Sequence, residues 1–214
     1  RSGRYRLRMI PRRSISDPRT TRSSIVTRCL TVASVHGLDG LTIGRLAADL
    51  EMSKSGVLGH FGDKETLQLA VIERAGDLFW QLVWVPAAGE RPGLTRLHAV
   101  CLAWIRYLVT GPLPGGCLFL SAATEFDDRP GAVRDAVAGN SERWQRELRT
   151  EVGRAVTAGD LPADTDADQV VFELLGVMLA LHNLHRLHHD QSAATRAERA
   201  VAHLLRPQQP VSTG

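Results

Sequence analysis

The stretch from Leu41 to Leu67, LTIGRLAADLEMSKSGVLGHFGDKETL, constrains the fold of this chain more than any other. Thr42 stands before an apolar-periodic run of Ile43, Leu46, Ala47 and Leu50, and Ser53 before a second run of Val57, Leu58 and Phe61. A hydroxyl at each position can accept from the unpaired N–H groups that open a helix, so both runs read as capped helices. Only Glu51 and Met52 separate them. A link of two residues forces the helices to cross through their apolar residues, which predicts a helix-turn-helix unit whose second helix can enter a major groove.

Composition bounds the rest. The 214 residues are 43% apolar, enough for a sizeable core in one or two domains. Alanine, leucine and arginine dominate and strand-like alternation is nearly absent, which predicts an all-α chain. No window approaches about 18 uninterrupted apolar residues and no charged-then-apolar leader opens the sequence, so a cytoplasmic location is expected. Cys29, Cys101 and Cys117 are widely spaced and form no CxxC pair, a pattern of reduced thiols rather than disulfides or a zinc site.

Charge is unevenly placed. Residues 1–62 carry 11 Arg and Lys against 4 Asp and Glu, whereas residues 63–214 carry 15 against 19. A basic first quarter joined to a mildly acidic remainder suggests that the first part meets a polyanion. Residues 1–16 hold six arginines and no acid and are expected to form a mobile basic arm able to lie along phosphates. Asp17-Pro18 reads as an N-cap with proline at the first helical position, opening a helix to about His36 with Ile25, Cys29, Val32 and Ala33 on its inner face. Gly37 ends it. Beyond Phe61, Gly62-Asp63 marks another helix start, and Lys64 in the first turn opposes the helix dipole. That placement makes sense beside a phosphate, or if Lys64 pairs with an acid.

Residues 20–71 resemble the DNA-binding domain of TetR/AcrR-family transcriptional regulators. The positions that carry the resemblance are Gly37, Thr42, Leu46, Ala47, Met52, Ser53, Phe61, Lys64 and Leu67. The resemblance implies a three-helix helix-turn-helix domain over 17–62, followed over 63–206 by a larger helical ligand-binding and dimerisation domain, with a tail at 207–214. It further implies a homodimer, a palindromic double-stranded operator and a small-molecule effector. Thr42, Arg45, Lys54, Ser55, Gly56, Leu58, Gly59, His60 and Lys64 are the expected DNA contacts. Gly56 and Gly59 each cost about 1 kcal/mol in a helix relative to alanine, and their missing side chains allow close approach to the duplex. Glu51 stands where the family usually has glycine and is expected at positive φ, at a cost on the order of 1 kcal/mol. Leu58 and His60 stand where tyrosines are common.

The C-terminal sequence reads as long helices with wide apolar faces; the resemblance implies a pocket between them, with Trp80, Trp104, Cys117, Phe119, Phe126, Trp144 and Met178 as the expected lining, although core packing alone accounts for each of these residues. Cys117, after two glycines at a helix start, is a conceivable low-pKa thiol. The resemblance implies that the last two helices, about 167–189 and 192–206, form the dimer interface, through Val170, Leu174, Leu181, His185, Val201 and Leu204. His182, His185, His188 and His189 share one helical face, which leaves a histidine-metal sensor or enzyme as the alternative to a repressor. No acidic or cysteine ligand completes such a site, so no metal or cofactor is expected. The sequence has no GxSxG, P-loop, GxGxxG, HExxH or CxxC, so an enzyme is not the expected class.

Overall fold

The computed structural model of the chain describes residues 18–206, with side chains from Arg22 onward. The basic arm, the cap at Asp17 and the tail at 207–214 lie outside the described residues. Among those described, the chain forms nine α-helices: α1 (Pro18–His36), α2 (Ile43–Asp49), α3 (Lys54–Phe61), α4 (Lys64–Phe79), α5 (Leu94–Thr110), α6 (Leu118–Phe126), α7 (Ala132–Thr157), α8 (Ala167–Arg186) and α9 (Ala193–Leu204). The fold is therefore all-α, as expected.

Local chemistry sets the starts of the first helices. Thr42 Oγ1 accepts from the Arg45 N–H at 3.2 Å, Ser53 Oγ from the Gly56 N–H at 3.0 Å, and the Asp63 carboxylate from the Thr66 N–H at 2.7 Å. Each bond satisfies a helix N–H that has no partner within its own helix. Between α2 and α3, Glu51 has φ 53°, the left-handed conformation expected for this turn.

Two apolar clusters organise the packing. The first joins Ile25, Cys29, Leu46, Val57, Phe61, Leu67 and Val71 with Leu118, Ala122 and Phe126 of α6 and Val133 and Val137 of α7. The second joins Phe79, Leu97, Cys101, Trp104, Leu148, Val152, Leu174, Met178, Leu181 and Val201. Helices α4 and α6 thus bind the N-terminal unit to the rest by shared burial, and the expected division after Gly62 falls within a continuous packing.

Two expectations change. The helix opening at Lys64, whose apolar positions Leu67, Val71, Leu78 and Leu82 predict a run to Val85, leaves the α pattern at Phe79. A π-helical turn, Trp80–Trp84, follows, in which the Val85 N–H donates to the Trp80 carbonyl five residues back, and then a 3-10 turn, Val85–Ala87. Pro86 has no N–H to give, so the α ladder cannot continue through it. The dimer face is also corrected. Leu174, Leu181 and Val201 are at most 2% exposed because they pack into the chain's own core, while Val170, His185 and Leu204 are half-buried. Helix α8 is apolar on two sides, and its outward side shows Phe172, Leu179 and Leu187 at 71%, 55% and 68% exposure. Finally, with Phe172 and Leu179 counted in, Ala167–Arg186 is long and apolar enough to cross a membrane by length and composition alone. Such a helix is also what a soluble protein uses when one side meets its core and the other a partner.

Relieving the turn strain should stabilise the fold. Glu51→Gly is expected to raise unfolding stability by about 1 kcal/mol, and Glu51→Val to lower it by more, because a β-branched side chain crowds the left-handed region. Urea midpoints of the two variants check this; a lower midpoint for Glu51→Gly rejects the strained turn.

Candidate nucleic-acid interface and effector cavity

Helix α3 turns Lys54, Ser55, Leu58 and Gly59 outward, and Thr42 and Arg45 are exposed at the start of α2. The two glycines of α3 have different surroundings. A Cβ at Gly59 would meet nothing within 4 Å, so this side of the helix is open to an approaching surface. A Cβ at Gly56 would lie 3.1 Å from Ser53 Oγ, a tight contact beside the cap. Leu58 is 38% exposed, an apolar group with no core of its own to join. His60 is half-buried, with its ring edge-on to Phe61 at 6.3 Å.

Lys64 takes the simpler of its two expected roles. Its ammonium donates to the carboxylate and the main-chain carbonyl of Asp39, both at 2.7 Å, and Arg129 reaches the same carboxylate at 3.1 Å. These two cations hold the Asp39 carboxyl below the usual aspartate range, Lys64 first. The N-terminus of α4, read as a phosphate clamp, already holds the carboxylate of its own cap, Asp63.

Six of the seven expected pocket residues meet in one place. Trp80, Trp104, Cys117, Phe119, Phe126 and Trp144 line a cavity of about 310 Å³ between α4, α6 and α7. Met178 does not reach it; its side chain is wholly buried in the second apolar cluster. The sequence reading missed Phe79, Asp127, Arg134, Asn140, Ser141 and Arg143, which complete the wall and mouth. Five of these are polar, four of them flanking Val137 and Trp144 on α7, and a search for apolar lining passes over them. The Cys117 thiol is pushed up by burial, opposite to the low-pKa reading, although its backbone and Tyr107 contacts act in the other direction. Burial likewise pushes Cys29 and Cys101 up to about 12. Among the described residues no three His, Cys, Asp or Glu side chains come together to hold a metal. His182 is half-buried and held below the usual histidine range, first by burial and then by Arg186 and His185.

One short helix touches both places. Helix α6 gives Phe119, Leu120, Ala123 and Phe126 to the cavity, while Glu125 points to the turn between α1 and α2. Its carboxylate accepts from the Leu38 N–H at 2.9 Å and the Asp39 N–H at 2.6 Å. Gly37, at φ 75°, gives it room: a Cβ there would lie 2.7 Å from the carboxylate. Just before α6 the Gly115 N–H donates to Ser34 Oγ at 3.1 Å, and a Cβ at Gly115 would lie 1.5 Å from the Ser34 carbonyl oxygen, so only glycine fits.

A capped helix-turn-helix joined through a shared helix to a cavity-bearing bundle defines a DNA-binding transcriptional regulator with an effector domain. The chain belongs to the TetR family: the family model for the tetracyclin repressor-like C-terminal domain matches residues 93–201. Family members are ligand-responsive DNA-binding repressors. The chain is 23% identical over 198 residues to the HTH-type transcriptional regulator TcmR of Streptomyces glaucescens, covering 89% of this chain and 84% of that protein. A TetR regulator from Chloroflexus aurantiacus superposes with TM-score 0.79 at 28% identity, over 88% of this chain and 93% of its own. AibR, solved in complex with isovaleryl coenzyme A and operator DNA, has the same fold, with TM-score 0.73 at 20% identity over 87% and 99% of the two chains. These relatives are transcriptional regulators rather than enzymes.

Glu125→Ala removes both bonds to the α1–α2 turn and should lower unfolding stability by about 2 kcal/mol, read from urea midpoints. Asp39 adds a pH signature. Its folded pKa is depressed, so its contribution is present above the ordinary aspartate value of 3.8 and is lost as pH falls through the lowered folded value. Asp39→Asn should flatten that acid limb of the stability profile, and an unchanged limb rejects the assignment.

Proposed function

We propose that this protein is a homodimeric repressor whose hold on a palindromic operator is released by a small molecule bound in the α4–α6–α7 cavity. The observation that carries this reading is α6, which lines the cavity with one side and holds the α1–α2 turn through Glu125 with another. A guest that fills the cavity presses on Phe119 and Phe126. Because packed cores switch between arrangements rather than deform smoothly, α6 then carries Glu125 and the Ser34–Gly115 contact with it. The helix-turn-helix tilts, and two subunits no longer match major grooves about 34–36 Å apart. Thermodynamically the effector favours the conformation with the lower operator affinity. The complex of AibR with both an acyl coenzyme A and operator DNA supports a two-site protein of this kind.

The expected contacts divide under this reading. Lys54, Ser55, Leu58 and Gly59 face the groove, with Leu58 suited to a thymine methyl, while Thr42 and Arg45 approach the backbone. Gly56 serves the cap, His60 borders the face, and Lys64 serves the Asp39 pair. Dimerisation uses the outward side of α8, centred on Phe172, Leu179 and Leu187, together with the outward side of α9. The protein works on DNA in the cytoplasm and needs no cofactor.

Two measurements on DNA test this. Lys54→Glu should weaken binding to the intergenic DNA beside its own gene at least tenfold and flatten the salt dependence by about one phosphate equivalent, whereas unchanged binding rejects the face. The double variant Phe172→Asp/Leu179→Asp should sediment as a folded monomer and lose the operator. A dimer with full affinity would place the interface elsewhere.

A further inference from the structure

We propose that the cavity takes a flat, fused-ring aromatic anion, its rings among Phe79, Trp104 and Trp144 and its negative group at Arg143. The inference rests on the reading of this cavity as the effector site and gives that site its chemistry.

The wall is a box of perpendicular rings. Phe79 meets Trp104 at 5.7 Å and 86° and Trp144 at 4.8 Å and 89°, and Trp104 meets Trp144 at 5.3 Å and 88°. Rings set at right angles offer a guest both faces and edges, so a flat π-system stacks on one wall while another presents its positive edge to the guest's face. An aliphatic chain fills the same space without that gain. At about 310 Å³ the space stands at the lower end of ligand pockets, which suits two or three fused rings.

Charge at the mouth sets the polarity. Asp127 borders the cavity with its carboxylate turned to the Asp128 N–H at 2.9 Å, while Arg134 donates from Nε to the Asp127 main-chain carbonyl at 3.3 Å and lies 3.7 Å from Asp135. Arg143 lies nine residues further along α7, about two and a half turns away, so it flanks the opposite side of the cavity. It has no ion pair among the described residues. Its guanidinium lies over the Trp80 ring at 5.7 Å, and that ring is backed by Trp84, stacked at 4.9 Å and 20° by the π-helical turn. A guanidinium held over an indole at the mouth is suited to a carboxylate and unsuited to a cation.

Tryptophan fluorescence and calorimetry on the full-length protein test this with 2-naphthoate, its neutral methyl ester, decanoate and 2-naphthylmethylammonium. The expected result is saturable binding of 2-naphthoate, one per protomer, at least tenfold tighter than any of the other three. Arg143→Gln should bring 2-naphthoate and its ester within twofold of one another, while Arg146→Gln leaves the preference as it was. Equal binding of decanoate or of the ammonium, an Arg143→Gln protein that keeps the preference, or no binding of 2-naphthoate overturns the proposal. A parallel DNA shift assay separates the two readings. Ligand-free protein that binds its DNA but not 2-naphthoate loses only the ligand class, and naphthoate binding that leaves DNA affinity unchanged removes the effector role.

Discussion

Two main-chain N–H groups, those of Leu38 and Asp39, end on one carboxylate, and the connection between the halves of this molecule depends on that arrangement. A turn after a helix leaves polar backbone groups that must find partners. Here Glu125 supplies the acceptor from a helix far along the chain, so the turn that sets the direction of α2 and α3 is held by the helix that walls the cavity. The Asp39 side chain then gathers Lys64 from α4 and Arg129 from beyond α6. The Glu125 carboxylate therefore adds a polar tie to the apolar cluster in which Phe126 and Val137 of the cavity wall pack with Val57 and Phe61 of the helix-turn-helix.

Much of this was legible from residues and some was not, for physical reasons. The caps at Thr42 and Ser53 and the strained turn at Glu51 are local, decided within four residues, and they stand where the sequence places them. The aromatic lining was legible because large rings must be buried somewhere, and Trp104, Trp144 and Phe126 find each other across α5, α6 and α7. Met178 was misread for the same reason: apolar periodicity says that a residue is inside, not what it faces. The residues expected at the dimer face divide likewise, Leu174, Leu181 and Val201 lying in the chain's own core. On α8 both Leu174 and Leu179 are apolar, and only the position of α5, α7 and α9 decides that the first is core and the second is surface. The role of Glu125 has no local signal, since its partners lie 87 and 86 residues away.

The charge asymmetry takes on a different meaning once the ion pairs are placed. Of the 11 basic residues in 1–62, six lie in residues 1–16, outside the described structure. Within it, Arg28 lies 3.7 Å from Asp49 and Arg22 lies over the Phe61 ring. Lys54 and Arg45 are the cations of the expected face that carry no ion pair among the described residues. Electrostatic affinity for DNA scales with the number of cations brought to the backbone, and most of the cations that make the first quarter basic lie outside the described residues. What the expected face offers beside its two cations is an open glycine and an outward leucine, the kind of surface that suits close approach and apolar contact.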